Sequence, residues 1–434
     1  MSVIGIREED KSIFERRVPI VPEDVGRLVK KGYKVIVEPS SHRVFKDEEF
    51  EKEGAVISKD LSEAKVIFGV KEIPTAKLLK NKTYMFFSHT IKGQSYNMPL
   101  LKKILEQKDT LIDYERIVDD NGRRLIFFGK FAGFAGAIDS LHLLGQKLKL
   151  NGLSTPFEKI KRAYDYNSLE DAKTAIKELG KILKKEGMPE SLKPFVIGFA
   201  GYGNVSKGAQ EIMDELSVTE ISPEDLLKEN FDKKSDTIYK VVFKEEDMVE
   251  PINPSDRFEL MDYYKNPEKY RGVFPKYIPY LSLLVNAIYW EDKYPRLITN
   301  EDIKKLWKQG VKKLTLIADI SCDIKGAIEF TYECGEPDKP ALIYEPLKDS
   351  YHLGIKGDGP VVLMVDILPS ELPREASLYF SKVLEEFIPP IVDADYSVDF
   401  DKLDLPSPVK KAVIVHKGEL TPDYRYLKQF IKNL

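Results

Sequence analysis

Four polar side chains near the N-terminus stand where acid–base chemistry on a charged small molecule needs them. Lys71 follows the apolar run VIFGV, His89 follows YMFFS and Glu115 follows TLIDY, while Arg17 lies in the loop after a first run, Val3–Ile6. If these runs are parallel strands, all four residues meet at one sheet edge. A base, a cation and a carboxylate gathered there suit proton transfer on an anionic substrate. Taken singly each has an ordinary explanation: a lysine after a strand is solvated, a histidine is a satisfied structural residue, and Arg17 pairs with Glu15.

A second feature is the turn Gly201-x-Gly203-x-x-Ser206, after the apolar run Phe195–Ala200 and before the amphipathic stretch NVSKGAQEIMDEL. It fits the dinucleotide fingerprint with serine in place of the third glycine. Gly201 permits the tight turn and Gly203 lets the backbone approach a pyrophosphate. The first helical residues, Asn204, Val205 and Ser206, offer N–H groups and a positive helix end. Gly208 would give close helix–strand packing. The bland alternative is a tight turn with no ligand. An acid about 20 residues on would bond the ribose hydroxyls and favour NAD. Glu220 is the candidate, in a short segment of open register.

The elements that must position these groups follow from composition and periodicity. The chain has 434 residues, 42% apolar and 32% charged, room for about three domains or two large ones. Basic and acidic side chains number 67 and 71 and are interspersed, for a net charge of -4. That argues against nucleic acid, which demands clustered positive charge. Two cysteines, no CxxC and no HExxH leave no disulfide framework and no metal site. No leader is evident, and the most apolar stretch, Tyr277–Trp290, is too short to span a bilayer. A soluble, cytoplasmic protein is expected.

Short apolar runs (Val3–Ile6, Tyr33–Val37, Val66–Val70, Tyr84–Ser88, Thr110–Tyr114) alternate with helix-like segments such as Pro22–Lys31 and Met98–Gln107. This predicts βαβ units and a parallel sheet. Residues 129–145 read as a helix bridging two domains, packed closely through Gly133 and Gly136. A helix capped by Asn167 or Ser168 and stopped by Gly187 follows. Phe195–Ala200, Lys240–Phe243, Lys313–Asp319 and Val361–Ile367 predict a second α/β unit. Residues 244–300 read as an irregular insertion, 373–387 and 422–434 as helices.

Longer strings then carry a resemblance. E-R-R-V-P-I-V-P (15–22), G-V-K-E-I-P (69–74) and F-F-S-H-T-I-K (86–92) resemble the alanine dehydrogenase and transhydrogenase N-terminal superfamily. Within it the chain is most similar to the lysine–2-oxoglutarate reductase half of bifunctional aminoadipic semialdehyde synthases, through D-Y-E (113–115), G-N-V-S-K-G-A-Q (203–210), N-A-I-Y-W-E (286–291), P-R-L-I-T (295–299), A-D-I-S-C-D (318–323), G-A-I-E-F (326–330) and L-P-S-E-L-P-R-E-A-S (368–377). It also resembles fungal saccharopine dehydrogenases of the lysine-forming type.

The resemblance implies an α/β protein of two Rossmann-like domains with parallel sheets and an interdomain cleft. Residues 1–130, completed by 369–434, would be the substrate and catalytic domain, and 131–368 the dinucleotide domain. The implied reaction joins lysine and 2-oxoglutarate through an imine that a nicotinamide reduces to saccharopine, or the reverse, with domain closure for hydride transfer. NADP(H) is expected ahead of NAD(H). Lys71 and His89 would carry the acid–base roles, with Glu72 and Glu115 tuning the lysine. Arg123 and Arg124 match a paired arginine near the substrate; Arg17 and one of those two would hold substrate carboxylates, and Asp366 would lie near the nicotinamide end. A lysine ammonium must lose a proton before it attacks. His89 is the better base by its ordinary pKa, though the roles of Lys71 and His89 are exchangeable at this level. Cys322 is read as a structural thiol. The length leaves no room for a second enzyme half, so a separate saccharopine-cleaving dehydrogenase is an expected partner. Oligomeric state stays open. The competing readings are another amine or opine dehydrogenase, such as alanine dehydrogenase, and a non-catalytic NAD(P)-binding regulatory protein.

Overall fold

A computed structural model describes residues 2–431. Its strands are β1 (Val3–Ile6), β2 (Lys34–Val37), β3 (Val56–Ile57), β4 (Val66–Phe68), β5 (Thr83–Phe86), β6 (Thr110–Asp113), β7 (Phe195–Ala200), β8 (Thr219–Glu220), β9 (Ile238–Phe243), β10 (Val249–Pro251), β11 (Tyr270–Gly272), β12 (Leu283–Asn286), β13 (Leu316–Asp319), β14 (Ala341–Glu345), β15 (Ser350–Leu353), β16 (Val361–Leu363), β17 (Val413–His416) and β18 (Glu419–Leu420). The chain divides into two compact units, one holding residues up to Phe128 and from Pro373 onward, the other Gly129–Leu372.

The first unit carries an eight-stranded sheet, ordered β18-β17-β6-β5-β4-β1-β2-β3. Strands β1 to β6 are parallel; β17 closes the far edge antiparallel to β6. The chain builds outward from β1 through β2 and β3, then returns to add β4 on the other side. Such a reversal opens a crevice at the carboxyl ends of the two strands that flank it. Strands β4, β5 and β6 are buried along their whole length, as expected for a parallel sheet covered on both faces.

Two strands stop earlier than their apolar runs, and the reason bears on the site. β4 ends at Phe68 and β5 at Phe86, not at Val70 and Ser88. The N–H groups of Val70 and Lys71 go to the carboxylate of Glu9, and that of Ser88 to the carboxylate of Asp113. Side chains take over where the ladder ends.

The second unit has its own eight-stranded sheet, ordered β15-β14-β16-β13-β12-β7-β9-β8. Six strands are parallel, while β14 and β15 are antiparallel additions. Residues 244–300 are more ordered than expected. They hold the β10–β11 pair and also β12, which lies beside β7 in the sheet. Four fully buried residues give no alternation, so β12 is invisible to periodicity.

The helix Leu169–Glu186 starts at Ser168, whose hydroxyl accepts from the Asp171 N–H at 3.1 Å, and stops at Gly187 with φ +77°. The helix Gly129–Leu150 runs a turn longer than expected and lies wholly in the second unit. It crosses the helix Asn204–Asp214 at glycine contacts. A Cβ on Gly133 would stand 2.0 Å from the Val205 carbonyl oxygen, and one on Gly208 2.2 Å from that of Lys130. Gly208 therefore packs against a helix and not a strand. The helix expected over 373–387 is Pro373–Leu384. The one expected over 422–434 is a 3-10 turn, Pro422–Leu427, followed by Lys428–Ile431, and residues 432–434 lie outside the described residues. No helix of the described residues is long and apolar enough to cross a membrane.

Gly133→Ala forces backbone apart and is expected to cost about 3 kcal/mol, read from the urea midpoint. Gly203→Ala, whose methyl meets open space, should stay within about 1 kcal/mol of wild type. Equal losses in the two variants would refute the close crossing.

Candidate active site

The loop after β1 supplies a buried charged cluster. Glu9 is buried, and its two oxygens accept the N–H groups of Val70 at 2.6 Å and Lys71 at 2.9 Å. It thus ties the loop after β1 to the loop after β4, at the strand reversal. Burial pushes its carboxyl up to about 7, against the pull of Arg7 and with help from Glu15. Arg17 is buried and forks onto Glu15, Nε at 2.7 Å and Nη2 at 2.6 Å. Its guanidinium lies 4.2 Å from the Phe128 ring centre, and Phe128 stacks on Phe380 at 4.5 Å. Burial alone would raise Glu15, but the cations Arg17 and Lys71 hold it below the usual carboxylate range. Half-buried Lys71 is therefore within electrostatic reach of the Arg17–Glu15 pair.

His89 has a partner that the sequence assigned elsewhere. The Glu72 carboxylate meets His89 Nδ1 at 2.6 Å and the ammonium of Lys11 at 3.0 Å. Glu72, the acid that the resemblance gives to tuning the lysine, thus bonds His89 and Lys11. Burial would raise this carboxyl, but the hydrogen bond and charge of His89, with Lys11 behind, hold it down to about 2. A carboxylate on Nδ1 fixes the tautomer and leaves Nε2 as the nitrogen that exchanges a proton. The backbone of His89 is left-handed, φ +49°, and its carbonyl accepts from Asn97 Nδ2 at 3.0 Å. Its ring stacks on Phe87, with centres 6.3 Å apart.

Asp113, at the end of β6, was not singled out from the sequence. Buried, it accepts the Ser88 N–H at 3.0 Å and the Ser88 hydroxyl through one oxygen, and the Glu115 N–H at 2.8 Å through the other. It places His89 and Glu115 through their neighbouring backbone, and burial pushes its carboxyl up. The signal was the D two residues before the E of D-Y-E, a residue poised to cap the turn Tyr114–Arg116. Glu115 pairs with Arg124. Arg123 is exposed, and its N–H is held by Asp119 at 2.8 Å. Arg124 forms an isolated antiparallel bridge with Val118, and Arg123 precedes it in the turn.

In the second unit the glycine turn has the form a dinucleotide needs. Gly201 has φ +94°, and a Cβ there would meet the Ala287 carbonyl at 3.1 Å; a Cβ on Gly203 would meet nothing within 4 Å. Gly203 starts the helix Asn204–Asp214 without a side-chain cap. The first N–H groups, from Asn204 to Ser206, lie at a positive helix end, a fit for a pyrophosphate. Ser206 is buried, and its hydroxyl accepts from Gln210 at 3.0 Å. It fills the third-glycine position inside the helix packing.

Glu220 is displaced from this turn. Its strand, β8, is the sheet edge, separated from β7 by β9. Glu220 pairs in register with Lys240, three residues short of the carboxyl end of β9 at Phe243. That is about 10 Å below the edge, and its carboxylate pairs with the Lys240 ammonium at 3.1 Å. The strand beside β7 is β9, and the acids just beyond it are Glu245 and Glu246. Glu245 accepts from the Tyr264 hydroxyl at 2.7 Å and also bonds Tyr202 of the turn. The run Lys240–Phe243 followed by K-E-E was the sequence signal. Asp366 is exposed beyond β16 and within electrostatic reach of Cys322 and Cys334. Among the described residues no cluster of His, Cys, Asp and Glu could hold a metal ion.

Residues 5–135 match the family described as alanine dehydrogenase/PNT, N-terminal domain. The class is that of two-unit α/β proteins: a solved L-alanine dehydrogenase superposes over 99% of both chains with a TM-score of 0.64 at 15% identity. Transhydrogenase from Sinorhizobium meliloti superposes over 97% of this chain and 100% of its own, with a TM-score of 0.58 at 15% identity.

More particular are the sequence relatives. The chain is 39% identical to an alpha-aminoadipic semialdehyde synthase of Arabidopsis thaliana over 99% of its own length and 42% of that protein's. The Bos taurus counterpart, named as mitochondrial, is 36% identical over 100% of this chain and 48% of its own. The chain thus spans less than half the length of these relatives. A Neurospora crassa protein named saccharopine dehydrogenase [NAD(+), L-lysine-forming] is 28% identical over 88% of both chains.

Glu72→Gln tests the His89 pair. A carboxyl held below its free value stabilises the fold above the free pKa and loses that contribution as pH falls. The variant should be less stable by about 1–3 kcal/mol at pH 7, with the deficit shrinking between pH 4.5 and about 2. A deficit unchanged over that range in urea titrations would contradict the pairing.

Proposed function

We propose that the chain is a nicotinamide-dependent oxidoreductase that condenses L-lysine with 2-oxoglutarate and reduces the product to saccharopine, or runs the reverse. The observation that carries this reading is the His89–Glu72 pair set beside Lys71 at the strand reversal of the first sheet. The names of the relatives give it its substrates.

His89, held through Nδ1, takes the proton of the substrate ammonium at Nε2 and frees the amine to attack. Lys71 polarises the keto oxygen and then gives a proton to the departing hydroxyl. Glu15, ionised beside Arg17, balances the charge of Lys71. Arg17 has two of its five donors on Glu15 and turns the others to a substrate carboxylate. Arg124, paired with Glu115 at the surface, is the second such cation. The turn from Gly201 to Ser206 would hold a nicotinamide dinucleotide, which when bound would supply the hydride. Asp366 lies at the same sheet edge as that turn.

Turnover is read from the nicotinamide absorbance with lysine plus 2-oxoglutarate, then with pyruvate plus ammonia. The first pair should be consumed and the second not; silence with the first pair at every pH sinks the reading. Lys71→Met and His89→Asn should each lower kcat by about 10²–10⁴, while Arg123→Ala changes it little.

Acids beyond β9 favour the ribose hydroxyls of NAD(H) and repel a 2′-phosphate. We therefore place NAD(H) ahead of NADP(H), reversing the order drawn from the resemblance; the name of the Neurospora crassa relative supports this. Glu245→Gln should shift the ratio of kcat/KM toward NADPH by about tenfold. The same ratio in variant and wild type would remove Glu245 from cofactor choice.

A further inference from the structure

Cys322 and Cys334 take no part in the chemistry above. Cys322 is buried in the turn after β13, in a left-handed conformation of φ +50°, and Cys334 is exposed. Their sulfurs are 3.3 Å apart. Each is fixed by the main chain: Cys322 Sγ lies 2.9 Å from the Met364 carbonyl, and Cys334 Sγ 3.0 Å from the Cys322 carbonyl. The next residue, Gly335, donates its N–H to the Met364 carbonyl at 2.7 Å. A disulfide bond is about 2.05 Å long, so closing the pair needs a shift of little more than an ångström and no change of fold.

The two thiols differ as attacking and resolving groups must. Cys334 meets solvent, and the hydrogen bond from Cys322 holds its thiol below the ordinary value. The same contact, with burial, pushes Cys322 up. The outer sulfur is the one an incoming reagent reaches, and the inner one is inert until a partner arrives within range.

We propose that Cys322 and Cys334 form a dithiol–disulfide modification site that reacts with small disulfides of the glutathione type. The Cys334 thiolate attacks one sulfur of the reagent, whose S–S bond breaks and releases one thiol. Cys322 then loses its proton and attacks Cys334 Sγ, expelling the second thiol. The protein dithiol is oxidised and the reagent disulfide is reduced to two thiols. The new bond staples the turn after β13 to the segment before β14. That turn is also tied to the end of β12, since the Ser321 hydroxyl donates to the Ile288 carbonyl.

The full chain is equilibrated in glutathione buffers from fully reduced to fully oxidised, quenched with acid, alkylated and weighed intact. Both thiols should disappear together, with the loss of two hydrogens in mass and no retained adduct, and dithiothreitol should restore both. Cys322→Ser should stop at a single glutathione adduct on Cys334. Two free thiols surviving in the oxidised buffer would overturn the proposal, as would wild-type protein that accumulates glutathione adducts in place of the internal bond.

Discussion

Where a parallel strand ends, its next N–H groups lose their ladder partners while still enclosed by protein, and each left unmet costs a kcal/mol or more. The protein meets this demand with buried carboxylates. Glu9 takes the N–H groups of Val70 and Lys71, and Asp113 those of Ser88 and Glu115. In the second unit Asp319, at the end of β13, accepts the Cys322 N–H at 3.4 Å. The candidate active-site residues sit at these caps: Lys71 and Glu115 are themselves held by them, and His89 adjoins Ser88, which is held by one. Catalytic geometry here is inherited from the way strands are finished.

The same environment moves three glutamates in two directions. Burial pushes Glu9 up to about 7 even beside Arg7, Glu15 stays low because Arg17 and Lys71 face it, and Glu72 is held near 2 by His89 and Lys11. Identical side chains within one edge are thus moved in opposite directions from the same free value. The neighbour decides, not the residue type.

Much of this was legible in the residues. Alternating apolar runs marked β1, β2, β4, β5 and β6, and the residues after the runs at β4, β5 and β6 supplied three of the candidate site residues. The turn at Gly201 was readable because its φ of +94° admits few residues besides glycine. What could not be read was pairing across the sheet. Glu9 and Asp113 look like surface acids in one dimension, and Glu72 could have served either neighbour. Glu220 failed for a topological reason: counting residues from the turn assumes that the next strand lies beside β7, whereas the chain places β9 there. β12 was missed because it lies inside the longer apolar stretch Tyr277–Trp290, whose ends do not mark a strand.

The first sheet is finished by β17, which pairs with β6 although the whole of the second unit lies between them in the chain. On the ribosome, β6 therefore emerges with an open edge and stays so while roughly 300 further residues are made, about 15–60 s at ordinary elongation rates. An unpaired strand of buried, apolar character is a template for wrong partners during that interval. The order of synthesis thus makes the late-arriving Val413–His416 segment the natural guard of the nascent chain, and shortening the protein from its C-terminus would threaten yield well before it touched chemistry.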